Sequence, residues 1–186
     1  MKKPEHHPWK RLSTEYLFRE PWLTVRRQRM ELPDGRIVPN YYILEYPDWI
    51  NVIARTADGR FVLVSQYRPG LERTDYELVA GVSEPSDASM EAAARRELKE
   101  ETGYGGGKWR LLMRIAANPG SQNNWTYCFV AEGVVPSGSR HLDATEELDV
   151  HLLTVEELRE LLLANAIPQA LHTAPLWRYF AEEGLL

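Results

Sequence analysis

Glu97, Glu100 and Glu101 stand at i, i+3 and i+4 within the segment Arg96-Glu97-Leu98-Lys99-Glu100-Glu101-Thr102-Gly103-Tyr104. On a helix that spacing projects all three carboxylates from one face. Like charges stacked this way repel, so the arrangement costs stability unless a cation sits among them. Hard oxygen donors on a rigid element suit Mg²⁺ or Mn²⁺, which are usually held by a few carboxylates together with substrate phosphates. The plain alternative, for an arbitrary helix, is a solvated acidic face.

The flanking residues favour the metal-holding reading. Glu77-Leu78-Val79-Ala80-Gly81 ends an apolar run, and a loop with Glu84, Pro85, Ser86 and Asp87 follows it. Ser89 is suited to cap a helix, and Gly103 supplies a stop, so the spacing predicts a helix over about 89–102. The acidic cluster then falls in the last turns, at the negative end of the helix dipole, where it is unfavourable without a cation. Local rules of stability tend to be broken in this way where a site is being built.

Stepping outward, 22–32 and 36–46 read as strands around Pro33-Asp34-Gly35, and Asp-Gly is a strong hairpin signal. Two strands alone are marginal in water, so this hairpin must pack on something. A second hairpin joins 50–54 to 61–67 through Ala57-Asp58-Gly59, and a strand over 74–79 leads into the acidic helix. Gly105-Gly106-Gly107 reads as a flexible connector, followed by strands near 109–116, 126–131 and 150–153. Helices are predicted over 155–165, from the stripe Val155, Leu158, Leu161 and Leu162, and over 173–182. The division expected is a β extension over 1–47 and a catalytic domain over 48–186. There is no internal repeat and no low-complexity stretch.

Composition narrows the partners. Charged residues make up 26% and apolar ones 44%, ordinary for a soluble domain. A formal charge of −5 argues against nucleic acid as a partner, since such binders usually carry a basic patch. No run approaches about 20 apolar residues, so no membrane span is expected. The first residues lack the apolar stretch of a secretory signal. The single cysteine, Cys128, sits in an apolar strand and cannot form an internal disulfide. Cytoplasm is the expected compartment.

The segment from Gly81 to Tyr104 resembles the Nudix box, the signature of hydrolases that cleave a nucleoside diphosphate linked to another moiety. Gly81 and the whole of Arg96–Tyr104 match the pattern. The interval between Gly81 and Glu97 is one residue longer than in the family. Its first glutamate therefore falls on Asp87 when counted from Gly81 and on Ala88 when counted back from Arg96. Asp48–Ala54, Val62–Arg68, Glu77–Gly81, Asn118–Asn124 and Leu142–Val150 look like the branch acting on ADP-ribose and nucleotide sugars. The resemblance implies an α/β (α+β) Nudix fold, a mixed sheet sandwiched between helices, with an N-terminal antiparallel hairpin. It also implies a homodimer built through that hairpin.

Candidate roles follow. Glu97, Glu100 and Glu101 are the expected carboxylate ligands of Mg²⁺, with Mn²⁺ as a substitute, and the resemblance adds the main-chain carbonyl of Ala80. Arg96 is expected to pin a carboxylate of the box, because arginine forms rigid bidentate pairs. For a catalytic base the resemblance points to Glu146, with Glu147 beside it and Glu100 as a third candidate. Arg68 is suited to meet a substrate phosphate as a fixed fork, or equally to pair with Glu77. Arg68, Glu77, Trp49, Asn123 and Asn124 are the substrate-binding candidates, with Trp22 and Tyr42 as further stacking surfaces. His6, His7, His141, His151 and His172 show no metal-ligand spacing. The expected reaction is metal-dependent hydrolysis of a nucleoside diphosphate sugar or ADP-ribose. The rivals are a hydrolase of nucleoside triphosphates or dinucleoside polyphosphates and a non-catalytic nucleotide-sugar sensor. An isomerase of the same fold is disfavoured because it needs a working cysteine.

Overall fold

The structure, a computed structural model, describes residues 5–142 and 147–186. They fall into two compact units, one comprising the described residues up to Pro47 with Asn118–Asn124, the other Asp48–Ala117 with Trp125–Leu186.

The first unit is a three-stranded antiparallel sheet of β1 (Lys10–Glu20), β2 (Leu23–Glu31) and β3 (Ile37–Glu45), in that order. The predicted hairpin is β2–β3. Its turn closes through Leu32 N–H to the Arg36 carbonyl at 2.9 Å, and Gly35 takes φ of 84°, the left-handed region that glycine enters without a Cβ clash. Strand β1 was not expected. Its sequence mixes polar and apolar residues without clean alternation, and its pairing with β2 carries two register shifts. The 118–124 loop joins this unit through Leu44 N–H to the Ser121 carbonyl at 2.7 Å and the Tyr41 hydroxyl to the Gly120 carbonyl at 2.5 Å.

The second unit is a mixed sheet of β4 (Trp49–Thr56), β5 (Phe61–Arg68), β6 (Arg73–Glu77), β7 (Val79–Val82), β8 (Tyr104–Ile115), β9 (Thr126–Pro136) and β10 (Leu148–Leu153). Its order is β10-β5-β4-β9-β8, with β6 beside β5 and β7 beside β4. Only the β4–β9 pairing is parallel among the described pairs. Helices α1 (Met90–Thr102), α2 (Val155–Leu163) and α3 (Ala170–Glu183) complete it.

Period-two alternation on the central strands sets up the sandwich. Val52, Val62 and Val64 pack with Ala93, Ala94 and Leu98 of α1. Their neighbours Ile53, Phe61 and Leu63 pack with Leu158, Leu162, Leu176, Tyr179 and Phe180 of α2 and α3. The mixed sheet between helices, and the antiparallel N-terminal extension, are thus as expected.

Two predicted elements are corrected. The single strand over 74–79 is two strands parted at Leu78, because β6 pairs with β5 whereas β7 pairs with β4. The glycines 105–107 are not a connector but part of β8, where Gly106 and Gly107 both take φ of 73°. A Cβ on Gly107 would meet the Glu132 carbonyl of β9 at 2.6 Å, so close strand approach selects glycine there.

Helix α3 contains Pro175, which lacks the N–H that would bond the Leu171 carbonyl. The buried Asn51 side chain of β4 supplies that donor at 2.6 Å. A break in the helix ladder thus becomes an anchor between helix and sheet.

Candidate active site

Strand β7 and helix α1 carry the box. Ser89 begins α1 by accepting from Ala92 N–H at 3.1 Å, and Gly103 ends it in the left-handed region with its N–H on the Lys99 carbonyl. Small Ala93 and Ala94 let the helix lie close to the sheet. Helix α1 is thereby set beside β7, with Glu97 facing the strand.

Glu97 lies directly against Gly81. A Cβ built on that glycine would meet the Glu97 carboxyl carbon and one of its oxygens at 2.2 Å. Gly81 has no positive φ, so a side chain there would act by displacing the Glu97 carboxylate. The next residue back, Ala80, pairs with Asn51 on β4.

Arg96 makes five hydrogen bonds, matching the five N–H donors of a guanidinium. Its Nε and Nη2 donate to Asp87 at 3.2 and 3.0 Å, and Nη2 also reaches the Val82 carbonyl at 3.1 Å. Its Nη1 donates to Glu97 and to Glu100, both at 2.9 Å. This settles the one-residue ambiguity of the box: the acid that partners the helix is Asp87. Its carboxylate also accepts from Glu84 N–H at 2.9 Å, so it folds its own loop. The Arg96 bonds, foremost, hold the Asp87 carboxyl below the usual carboxylate range, and Asp87 in turn raises the Arg96 pKa.

Among the described residues no three His, Cys, Asp or Glu side chains converge as a metal centre. Arg96 Nη1 lies between the Glu97 and Glu100 carboxylates. That guanidinium is itself a test of fit, because the two carboxylates already converge on a positive charge. The α1 carboxylates, with that of Glu97 set against Gly81, are hard oxygen donors of the kind that suit a divalent ion. Glu101 is 4% exposed, a burial unusual for a glutamate on a merely solvated face.

The substrate candidates separate. Arg68 donates to Glu77 from Nε at 2.7 Å and Nη2 at 2.5 Å, the second of its two expected roles. Glu77, a buried counter-ion to Arg68, is 2% exposed and also lies 3.4 Å from His172 Nε2. Burial raises the Glu77 pKa, but bonds from Arg68 and His172 outweigh it and hold the carboxyl at about 2. Asn123 accepts from Tyr46 N–H at 3.1 Å and Asn124 donates to the Pro47 carbonyl at 3.0 Å, so both bind the backbone of the N-terminal unit. Trp49 opens β4, opposite Val82 and Thr126, and is partly buried. Glu147 is exposed and immediately precedes β10; Glu146 lies outside the described residues. His172 had no sequence signal, since its partner Glu77 is on a distant strand.

Fold and site together define a Nudix protein. Residues 46–174 match the family described as NUDIX domain, and residues 9–44 match that described as nucleoside diphosphate sugar hydrolase N-terminal domain. The chain belongs to the Nudix family. It is similar to a Bacillus subtilis (strain 168) protein named ADP-ribose pyrophosphatase, at 31% identity over 87% of this chain and 86% of the relative. It is also similar to a Bacillus methanolicus protein named methanol dehydrogenase activator, at 32% identity over 85% of each chain. A crystal structure described as ADP compounds hydrolase superposes with a TM-score of 0.84, at 21% identity, over 99% of this chain and 100% of the other.

Two outcomes follow from this geometry. Gly81→Ala should cost about 1–3 kcal/mol by overpacking, and combining it with Glu97→Ala should recover most of that loss in urea unfolding. Simply additive losses would show that the two positions do not press on each other. The depressed Glu77 pKa makes its contribution to stability fully present above the ordinary value of 4.5 and lost as pH falls toward 2. The stability advantage of wild type over Glu77→Gln should therefore shrink across that window; a pH-independent difference would contradict the pairing.

Proposed function

We propose that this protein hydrolyses the pyrophosphate bond of a nucleoside diphosphate sugar, ADP-ribose or a hexose nucleotide, with Mg²⁺, or Mn²⁺ as a substitute. Water attacks one phosphorus, the bridging P–O bond breaks, and the products are a nucleoside monophosphate and a sugar phosphate. The observation that carries this reading is the carboxylate of Glu97 set against Gly81 and held, with that of Glu100, by Arg96. The names borne by similar proteins, ADP-ribose pyrophosphatase among them, support the substrate class.

Glu97, Glu100 and Glu101, with the Ala80 carbonyl, would hold the divalent ions. When bound, such ions neutralise the diphosphate and make water a nucleophile near neutral pH. Arg68 orients a phosphate oxygen while Glu77, behind it, fixes the plane of the guanidinium. Trp49 offers a stacking surface to the base. Glu146 or Glu147 takes the proton of the attacking water. Asn123 and Asn124 shape the loop of the N-terminal unit and bear on the sugar only through it. A buried lone thiol, Cys128, pushed up to about 12 by burial, fits a reducing cytoplasm, and no helix among the described residues is long and apolar enough to cross a membrane.

The N-terminal sheet is proposed as a dimerisation element. Strand β1 is exposed along its whole length, with Leu12, Tyr16, Leu17 and Phe18 accessible and Trp22 89% exposed in the turn that follows. A three-stranded sheet leaving that much apolar surface uncovered calls for a partner, and a second copy supplies one.

ADP-ribose, GDP-mannose, UDP-glucose and ADP-glucose should be tested side by side with a nucleoside triphosphate, identifying products by mass. Monophosphate release that stops on chelation, and falls by about 10²-fold or more in Glu101→Gln and Glu146→Gln with unchanged circular dichroism, is the expected result. Full activity of Glu101→Gln would discredit the carboxylate assignment, and exclusive action on triphosphates would replace the substrate class. Light scattering at micromolar concentration should give the mass of a dimer; a monomer would remove the role of the N-terminal sheet.

A further inference from the structure

Three carbonyls at the C-terminal end of α1, those of Glu100, Glu101 and the cap Gly103, are taken up by one short stretch of chain. Ser137 N–H donates to the Gly103 carbonyl at 2.8 Å and His141 N–H to the Glu100 carbonyl at 2.9 Å. Between them, Arg140 Nε donates to the Glu101 carbonyl at 2.8 Å. The stretch presses on the helix end closely enough that a Cβ on Gly103 would meet the Gly138 carbonyl at 2.7 Å. Arg140 then does something the main-chain donors do not. Its Nη2 reaches the carbonyl of Leu148 at 2.7 Å, the first residue of β10. Leu148 is buried in the core on the α1 side and pairs with Gln66 of β5.

We infer that Arg140 is a positioning residue: its guanidinium ties the acidic end of α1 to the start of β10, and so holds Glu100 and Glu101 in register with Glu147. The inference rests on the proposed hydrolase reading for its effect on turnover, but the tie itself does not. A positive group at the negative pole of a helix is favourable for any cation. Bridging two carbonyls on different elements needs the planar fork of arginine, which a single ammonium lacks. Misplacing a reacting group by about 1 Å costs on the order of 10²-fold in rate, so loosening this register should be read in turnover before it is read in binding.

The test compares Arg140→Met and Arg140→Lys with wild type, on whichever diphosphate the substrate panel identifies. Arg140→Met should lose about tenfold or more in kcat with KM within about threefold, at a temperature where circular dichroism shows it folded. Arg140→Lys should regain the melting temperature, because the charge returns to the helix end, but leave kcat depressed. If lysine restores both, or if kcat holds in both variants while only the melting temperature falls, Arg140 is merely a helix cap and the inference fails. Amide hydrogen exchange reads the tie without any activity. In Arg140→Met, protection should drop both in the last turn of α1 and at the first amides of β10, and a drop confined to α1 overturns the bridge. Wild type inactive on every diphosphate, with both ends loosened in the variant, would instead sink the hydrolase reading and leave the tie standing.

Discussion

The repulsion among acidic groups crowded at the end of one helix is the constraint around which this protein is arranged. Asp87, Glu97 and Glu100 all touch a single guanidinium, that of Arg96, which spends every donor on them and on the Val82 carbonyl. Such a cluster would otherwise push α1 away from β7, since like charges at i, i+3 and i+4 are mutually unfavourable and the helix dipole adds to the penalty. With Arg96 in place, the same groups draw loop, strand and helix together. The carboxylates are therefore gathered around one positive side chain before any ligand arrives.

The elements that gather them are legible in the sequence where the governing interactions are local. Helix α1 was expected at 89–102 and runs Met90–Thr102 with Ser89 as its cap, because cap, apolar spacing and terminal glycine all act within one or two turns. The turns at Gly35 and Gly59 are read for the same reason, from residues that adopt positive φ. Non-local pairing is where the reading fails. The division of 73–82 into two strands depends on β5 and β4 as separate partners, and the incorporation of Gly105–Gly107 into β8 depends on β9. Neither partner is visible from the segment itself.

The site divides along the same line. The spacing of Glu97, Glu100 and Glu101 is a statement about one helix and needs no tertiary information. Whether the partner of Arg96 would be at 87 or 88 is a question of loop geometry, and only the folded loop, with Asp87 also capping Glu84 N–H, answers it. Arg68 and Glu77 lie near each other in sequence, yet nothing in the chain order says that Glu77 would be buried or that His172 would approach it from α3. The shape of Arg68 was therefore readable as a phosphate fork or as half of an ion pair, and burial of its partner is what makes the pair the resting state.

Buried ionic groups seldom add net stability over a well-packed apolar core, so their presence needs a reason other than holding the fold together. Glu77 is dehydrated and then stabilised by Arg68 and His172, while Arg96 is stabilised by the acids it restrains. In both places a charged side chain is held in one orientation by its counter-ion: Arg68 by Glu77, and Glu97 and Glu100 by Arg96. A rotamer held by a hydrogen-bonded counter-ion is already ordered when substrate arrives, and the entropy of fixing it has been spent during folding. Replacing one partner of either pair by an apolar residue would leave Arg68, or Glu97 and Glu100, without the counter-ion that fixes the rotamer. The buried Glu77 and the partly buried Arg96 cluster thus act as supports for orientation, which is what hydrolysis of a phosphoanhydride, with little covalent chemistry for the protein to perform, chiefly requires.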